Sequence, residues 1–443
     1  MDIVIKKQIK KALLTTVVLP SISLVNQVPG QKIVPDRLDN REDCILLANN
    51  ESFQSGKIQP AIGLHFLKEN IPSADILEYP GWDEYKNALK KGYDVVAIGF
   101  YTTNFYEAVK MAKMAKEAGV NEVWAGNYGA LTPGNTEYFD RVFMGYAERE
   151  LKLALENEVL EDIKHPVLTT PFRVLPHLER AGFLVTKRGC KFKCKFCSTP
   201  SFSANGGSIS MDEIERVLNS YKSRNVDYII IADETFLQDL KHAKKVIRML
   251  NEREMKWFCT TRADLLLGRV KELKEKGFDG VYMGIESLRD SNLSDQKKGE
   301  STTKVVKVLE ELKQNGASAS GTYILGLLND TVSSIKEDIE KLNRLPLFVL
   351  VFLVFTPYPE LASYKMWEKK GLIINHNWRD YDGMHMVFKH PFMKPEEARE
   401  VFEYAVCNVY SPYNYNKRRA LLRLKKIENL TNRENAEKGG IRG

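Results

Sequence analysis

The second half of the chain repeats one pattern six times: a short apolar run, a few polar residues, and a stretch with helical periodicity. Parallel strands need crossover connections, which are usually helices, so this alternation predicts a parallel sheet. We expect a partial (β/α)6 barrel with polar residues at the carboxyl ends of its strands, where barrel enzymes place their chemistry. The predicted strands are 183–185, 227–232, 257–261, 280–284, 320–325 and 348–355.

The first part of the chain alternates in the same way and predicts a doubly wound, Rossmann-like parallel sheet. Such sheets offer a ligand crevice at the carboxyl ends of their strands. The clearest predicted strand, 94–99, precedes an amphipathic helix around 108–115. Further strands are predicted at 44–48, 74–77, 122–126 and 141–145, and a further helix around 62–67.

These patterns place the chain in the α/β class and divide it into four segments. The segment before the barrel contains three prolines and few periodic apolar positions, which is typical of a linker. The predicted segments are a Rossmann-like domain over 1–160, a linker over 161–182, the partial barrel over 183–370, and a small, mostly helical C-terminal region over 371–443.

Composition sets wide bounds on the kind of protein. A net charge of +7 is modest for 443 residues and identifies no partner. Cys44, Cys259 and Cys407 are scattered singly, so a secreted disulfide framework is not expected and a reducing cytoplasm fits better. We find no nucleic-acid-binding motif and no apolar run approaching the ~20 residues of a transmembrane helix.

The N-terminus permits a second interpretation. Several lysines precede the apolar run 12–19, as in a short export signal. No small-x-small cleavage site follows cleanly, so we favour a strand or an edge that touches a membrane. We therefore expect a cytoplasmic protein with a possible membrane association.

Three cysteines lie within eight positions, as Cys190-x3-Cys194-x2-Cys197. Thiolates packed so closely on one loop are typical ligands of a soft metal centre. Closed zinc and iron–sulfur sites usually take four protein ligands, yet no cysteine or histidine follows before His242. Three thiolates would leave one iron of a four-iron cluster open for reaction chemistry. A zinc knuckle completed by a distant histidine, and three unrelated cysteines, are the alternatives.

This motif, with Phe196 just before the third cysteine, resembles the signature of radical S-adenosylmethionine (SAM) enzymes. The resemblance implies a 4Fe–4S cluster whose open iron binds the amino and carboxylate groups of SAM. It also implies reductive cleavage of SAM to a 5′-deoxyadenosyl radical, and a reducing partner of the flavodoxin or ferredoxin type. Phe196 is then expected near the adenine of the cofactor.

The same resemblance assigns cofactor contacts to charged residues at the ends of later strands. Asp233 or Glu234 corresponds to the site of the SAM amino group. Arg262 and Glu286 match positions near the carboxylate, ribose or sulfonium, and Lys298 matches a basic cofactor-contacting residue. Taken singly, each could be an ordinary surface-paired charge. Their shared position at strand ends favours the functional interpretation.

The first domain resembles the cobalamin-binding domain that precedes the radical domain in one large subfamily. The resemblance implies cobalamin held by loops after the strands, where small residues let its nucleotide tail approach the backbone. The sequence departs from the pattern at Asn127, where a glycine is usual, and at Tyr146-Ala147, which replace a small, glycine-containing pair. The alternative is a vestigial domain that binds nothing. The implied cobalamin-binding residues are Thr102, Thr103, Gly126, Asn127, Tyr128 and Gly129.

The resemblance implies a cobalamin-dependent radical SAM methyltransferase that acts at an unactivated carbon. The second hypothesis is radical SAM chemistry without methyl transfer, such as cyclisation, rearrangement or oxidation, with the first domain as a substrate platform. A third is a cluster-bearing scaffold that does not turn over. Small molecules, lipids and peptides all remain open as substrates.

Overall fold

The structure is a computed structural model that describes residues 9–17, 60–170, 180–203, 206–411 and 414. The strand predicted at 44–48 lies outside the described residues, as does nearly all of the chain after 411. Both predicted parallel sheets are present, and the α/β fold class is confirmed.

The first sheet has five parallel strands in the order β2-β1-β3-β4-β5. The order reverses between β1 and β3, and at such a switch point the loops after the two strands diverge to leave a crevice. This sheet confirms the predicted strands near 74, 94 and 122, whereas the strand predicted at 141–145 pairs over only two residues. Its strands are β1 Ala12–Thr16, β2 Asp75–Leu77, β3 Val95–Gly99, β4 Glu122–Gly126 and β5 Arg141–Val142.

Helices cover both faces of this sheet, as expected for a doubly wound fold. Successive strand residues point to opposite faces. Thus Leu13 and Val96 pack with α2 and α3, while Leu14 and Val95 pack with α1 and α4. The helices are α1 Ile62–Asn70, α2 Trp82–Leu89, α3 Phe105–Glu117 and α4 Glu148–Glu156.

Residues 12–16 of the apolar N-terminal run form strand β1, which confirms the strand interpretation there. The alternative of a membrane-touching edge is wrong, because β1 lies inside the sheet between β2 and β3. Its residues 12 to 15 are buried. None of the helices in the described part of the chain combines the length and apolarity needed to cross a bilayer.

The second sheet has six parallel strands in chain order, as predicted, and an antiparallel strand at one edge that was not predicted. That edge strand, β6, and the start of β7 fall within the predicted linker, so this segment extends the sheet. A two-residue strand is too short to show periodicity in the sequence. The strands are β6 Thr169–Thr170, β7 Ala181–Leu184, β8 Tyr228–Ile231, β9 Lys256–Thr260, β10 Phe278–Glu286, β11 Ser318–Leu325 and β12 Val349–Val354.

Crossover helices pack on one face of the second sheet and form the largest core of the protein. The other face is apolar near the start of the strands, where Ala181, Tyr228, Ile230, Phe258 and Phe348 cluster. The polar end of that face lies at the carboxyl ends of the strands. The helices are α5 Thr199–Phe202, α6 Met211–Ser223, α7 Leu240–Glu252, α8 Ala263–Leu266, α9 Val270–Lys274, α10 Asp290–Asp295, α11 Thr302–Gln314, α12 Val332–Leu342, α13 Ala362–Lys369 and α14 Pro395–Val409.

Candidate active site

The three cysteines lie on the cysteine loop, residues 187–198, which follows the carboxyl end of β7. Gln238 fixes its first turn, because the side-chain oxygen accepts from Lys191 N–H at 2.8 Å and the amide donates to the Gly189 carbonyl at 2.6 Å. Gly189 has φ +90°, a conformation that glycine adopts without a steric penalty. The loop is therefore held in one shape by bonds from the neighbouring strand end.

Asp233, at the end of β8, anchors the start of this loop. One carboxylate oxygen accepts from Thr186 N–H at 2.6 Å, and the other accepts from the Thr186 hydroxyl at 2.6 Å and from Lys187 N–H at 3.1 Å. Burial raises the pKa of Asp233 to about 7, against the lowering effect of these donors. Because both oxygens are engaged within the protein, Asp233 is better suited to hold the loop than to bind a cofactor.

Glu234 connects the cysteine loop with the first domain. One of its oxygens accepts from Gly189 N–H at 2.9 Å, and the Tyr146 hydroxyl donates to the other. Burial, and then the neighbouring Glu234 carboxylate, raise the pKa of Tyr146. Of the two acidic residues predicted for the SAM amino group, Glu234 is the more accessible, and its assignment stays a prediction.

The cysteine thiols are partly buried, and no disulfide joins the cysteines of the described residues. Burial raises the pKa of Cys194 and of Cys197, so metal binding must release their protons. Within the described ranges, no group of three His, Cys, Asp or Glu side chains surrounds a single ion position.

Arg262 lies beside the cysteine loop at the end of β9. Its guanidinium carbon is 3.9 Å from the centre of the Phe192 ring, a cation–π distance, and one nitrogen is 3.9 Å from Cys194 Sγ. Asp264 pairs with it at 2.9 Å, and another nitrogen donates to the Lys298 carbonyl at 2.6 Å. The side chain is thus fixed close to the second cysteine and carries positive charge to it.

Lys298 sits in a buried ionic cluster at the end of β10. Its ammonium lies 3.5 Å from Glu286 Oε1 and 3.3 Å from Glu300 Oε2. Burial lowers the pKa of Lys298, but the two carboxylates outweigh this effect and raise it overall. Burial raises the pKa of Glu286 despite the nearby ammonium.

Glu286 also has an unusual backbone, with φ +62°. A Cβ added to Gly284 would lie 1.8 Å from Glu286 Oε1, so glycine is required for this carboxylate to fold back over the strand. Residues held in such conformations cost of order 1–3 kcal/mol and cluster at functional sites. The structure therefore brings Cys194, Arg262, Glu286 and Lys298 into one neighbourhood.

Two residues of this region were not predicted from the sequence. Glu360 lies beyond β12, where its carboxylate accepts a hydrogen bond from Ser198 of the cysteine loop. The Oε2 atom of Glu360 is buried and has no hydrogen-bond partner among the described residues. Glu300 is the second, and it completes the Lys298 cluster. Neither follows a strand directly, so the strand-end signal did not reveal them.

The loops after β3 and β4 carry the residues predicted to bind cobalamin. The Thr103 hydroxyl is buried without a hydrogen-bond partner in the described part of the chain, whereas Thr102 bonds to Thr132 at 3.0 Å. A Cβ on Gly126 would meet no atom of the described residues within 4 Å. An unpaired donor and open space at a sheet crevice are features that fit a bound ligand.

Asn127 and Gly129 show why this crevice has its shape. Asn127 has φ 61° and ψ −166°, a region occupied almost only by glycine. A Cβ on Gly129 would lie 2.2 Å from the Phe100 ring, so this glycine serves packing. The glycine expected at 127 is therefore replaced by a strained asparagine rather than by a change of backbone path.

The crevice of the first sheet faces the cysteine loop. Tyr128 stacks on Phe202, a few residues after Cys197, with ring centres 4.1 Å apart. Arg188 of the cysteine loop forms a buried two-point ion pair with Glu148 at the start of α4, at 2.7 and 3.0 Å. These contacts bring the two predicted cofactor regions together.

Sequence comparison identifies the second domain. Residues 184–342 match the family described as the Radical SAM superfamily. The matched segment begins at the last residue of β7 and ends with α12. It contains the three cysteines and the predicted SAM-contacting residues.

Similar proteins extend the likeness to most of the chain. A bacteriochlorophyllide d C-8(2)-methyltransferase of Chlorobaculum tepidum is 24% identical over 351 residues, which cover 72% of this chain and 77% of that protein. An uncharacterized methyltransferase of Pyrococcus horikoshii is 26% identical over 362 residues, covering 72% and 78%.

Among solved structures, the fold resembles that of the radical S-adenosylmethionine methyltransferase TsrM from Kitasatospora setae, solved with cobalamin and a [4Fe-4S] cluster bound. The TM-score is 0.60 at 14% sequence identity, and the alignment covers 91% of this chain and 89% of that one. The alignment spans both sheets. At this sequence identity it shows that the two proteins share a fold.

Proposed function

We propose that this chain, a member of the radical SAM superfamily, is a cobalamin-dependent methyltransferase that acts at an unactivated carbon. The proposal rests on one observation: the candidate cobalamin site of the first sheet and the cysteine loop face each other. The crevice of a doubly wound sheet, with an unpaired hydroxyl and open space, lies against the loop that holds three cysteines.

The residues present fit a cluster and SAM at the second sheet. Cys190, Cys194 and Cys197 would hold the cluster, and Phe196, which packs against the core of the second sheet, would lie near the adenine of SAM. When bound, cluster and SAM supply a 5′-deoxyadenosyl radical able to remove a hydrogen atom from carbon, and cobalamin supplies a methyl group. We assign Glu234 to the amino group of SAM.

Arg262 and Lys298 give this site its positive charge. Both side chains are buried and fixed by carboxylates, so their positions change little when a ligand binds. A carboxylate such as that of SAM gains charge-assisted hydrogen bonds there. Glu286 balances the charge of Lys298 and offers an acceptor, and Glu360 offers a further buried acceptor to a substrate donor group.

At the first sheet, Thr103 and Gly126 fit a large ligand that approaches the backbone. Thr103 can donate to a polar group of cobalamin, and Gly126 leaves room for it. Tyr128 and Tyr146 line the side toward the cysteine loop. The methyltransferase names of the similar proteins and the cobalamin of the TsrM structure support the assignment.

The second candidate is radical chemistry without methyl transfer. Tyr146 favours it, because a bulky side chain stands where the cobalamin subfamily has a small residue and already bonds to Glu234. In that case the crevice would hold substrate. Small molecules, lipids and peptides are the substrate classes considered.

Anaerobic purification with cluster reconstitution tests the proposal. We expect dithionite and SAM to give 5′-deoxyadenosine, and hydroxocobalamin to remain bound through gel filtration. Cys194→Ala should abolish cleavage, with the buried, non-ligand Cys259→Ala as the matched control. Cleavage by Cys194→Ala would refute the ligand assignment, and cleavage without corrinoid binding would favour the second candidate.

A further inference from the structure

An open groove of about 600 Å³ lies beside the first cysteine. Cys190 lines it, whereas the other two cysteines, Arg262 and Lys298 do not. The groove is therefore separate from the ionic cluster that we assign to SAM. It reaches one ligand of the cluster from another side.

The groove has an apolar floor and a basic rim. Leu237, Leu240 and Leu265 supply the floor, and Leu240 is 37% exposed. Lys187 and Lys191 lie on the rim. Apolar centres with charged surroundings are typical of protein interfaces.

More lysines extend this positive face. Lys193 is exposed on the cysteine loop, and Lys241, Lys244 and Lys245 are exposed in the first turns of α7, directly after groove-lining Leu240. Asp239, the acidic residue that lines the groove, bonds to Lys187 at 2.8 Å, so this pair adds no net charge. The face therefore carries a net positive charge.

The start of α7 is an unfavourable place for lysine. A helix N-terminus carries partial positive charge, so cations there are destabilising by about 0.3–1 kcal/mol each, and acidic residues are preferred. The first turn of α7 has Lys241 and no acidic residue, while the acidic N-cap, Asp239, accepts from His242 N–H at 3.1 Å. Lys241 adds nothing to this helix start, so helix stability does not explain its presence there.

We propose that this groove docks an acidic electron-carrier protein that reduces the cluster. The inference rests on the proposed function, which requires one electron from outside. A carrier seated in the groove would contact Cys190, one of the three residues that would hold the cluster. Opposite charges speed such encounters, and electron-transfer complexes are typically small and transient.

The step at this surface would be one electron transfer. The reduced flavin or iron–sulfur group of the carrier would lose one electron, and a cluster held by the three cysteines would gain it. No bond forms or breaks, and no proton needs to move in this step. The carrier then leaves oxidised by one electron.

Charge reversal on the rim tests the proposal in the full-length, reconstituted protein. The variant is Lys241→Glu/Lys244→Glu, whose changes on α7 should favour the helix. Lys304→Glu/Lys307→Glu, on exposed positions of α11, is the matched control. The measurement is the rate of 5′-deoxyadenosine formation with reduced flavodoxin or with dithionite, at 50 mM salt.

We expect the double variant to lose at least tenfold in rate with flavodoxin and less than twofold with dithionite, while the control matches wild type with both. For the wild type, 0.5 M salt should slow the flavodoxin reaction and leave the dithionite reaction unchanged, since screening weakens surface charges. Equal flavodoxin rates in variant and wild type would overturn the proposal.

If the variant also fails with dithionite, the salt dependence of the wild type decides. A flavodoxin rate that ignores salt would then overturn the proposal, and a rate that falls with salt would support it. Failure of the wild type itself to cleave SAM with dithionite would instead contradict the proposed function. The two failures are thereby distinguished.

Discussion

The two parallel sheets present very different carboxyl ends. At the second sheet, charged side chains converge in a dense network in which Lys298, Glu286 and Arg262 already have partners. At the first sheet, the corresponding edge holds open space at Gly126 and an unpaired hydroxyl at Thr103. The second edge suits small, charged groups that need fixed partners, and the first suits a bulky ligand that fills space.

Substitutions at the contact between the regions of the two sheets should have the largest effect on the free energy of unfolding. Arg188 and Glu148 form a buried ion pair, and removing one partner leaves an uncompensated buried charge that costs about 3–5 kcal/mol. We expect Arg188→Met and Glu148→Gln each to lower the free energy of unfolding by this order, and the double variant by less than the sum. Urea unfolding measures it.

The exposed Arg248→Met variant is the control for this pair and should change stability by no more than about 0.5 kcal/mol. Strict additivity of Arg188→Met and Glu148→Gln would contradict a direct coupling of the two regions through this pair.

His165 lies at the contact between the regions of the two sheets and makes the stability of the protein depend on pH. Burial lowers its pKa to about 4, and its ring contacts Phe66 of α1 while accepting a hydrogen bond from Val185 N–H at 2.8 Å. Between pH 6.5 and 4 the unfolded chain therefore binds more protons than the folded one, so stability falls as pH falls, by about 3 kcal/mol at most.

We expect His165→Gln to lose this contribution. Urea midpoints at pH 7.5 and pH 5 should move closer together in the variant than in the wild type. An equal difference between the two urea midpoints in variant and wild type would show that His165 is not held neutral in the folded protein.

A substitution of Lys298 tests the charged edge of the second sheet. Losing charge-assisted contacts worth about 1.5–3 kcal/mol should weaken SAM binding about 10- to 100-fold in Lys298→Met. The exposed neighbour, in Lys297→Met, is the matched control and should bind SAM normally. Equilibrium binding of SAM to the reconstituted protein measures both, and normal binding by Lys298→Met would remove this residue from the site.

Thr103 tests the open edge of the first sheet. Its substitution should have smaller effects, which raise stability and lower the affinity for hydroxocobalamin. An unpaired buried hydroxyl costs about 1–3 kcal/mol, so Thr103→Val should stabilise the cobalamin-free protein by about 1 kcal/mol. The same change should weaken hydroxocobalamin binding about tenfold, because a donor is lost. Unchanged corrinoid binding would exclude Thr103 from the site.

Thr102→Val provides the contrast, because Thr102 is already bonded to Thr132. This variant should destabilise the protein, by about 1 kcal/mol, rather than stabilise it. The opposite responses of adjacent threonines would separate a ligand-binding hydroxyl from a structural one.

The contrast between the two edges also explains what could be predicted from the sequence. Strands and helices carry periodic apolar patterns, so both sheets were predicted. Arg262 and Glu286 were assigned through the family resemblance, and their shared position at strand ends supported the functional interpretation. Their grouping is confirmed, whereas their contacts with SAM stay predictions.

Other features depend on tertiary contacts that no local pattern contains. Strand β6 has only two residues, and the place of β1 inside the sheet depends on pairing with distant strands. The anchoring role of Asp233 requires the backbone of residues 186 and 187 to lie beside it. Glu360 lies within a proline-containing loop, where burial cannot be inferred from periodicity.

Corrinoid binding tests the central claim most directly. Reconstituted protein is mixed anaerobically with hydroxocobalamin, passed through gel filtration, and measured for bound corrinoid by absorbance alongside 5′-deoxyadenosine formation. We predict about one corrinoid per chain in protein that cleaves SAM. Protein that cleaves SAM but retains no corrinoid would contradict the account of the first sheet.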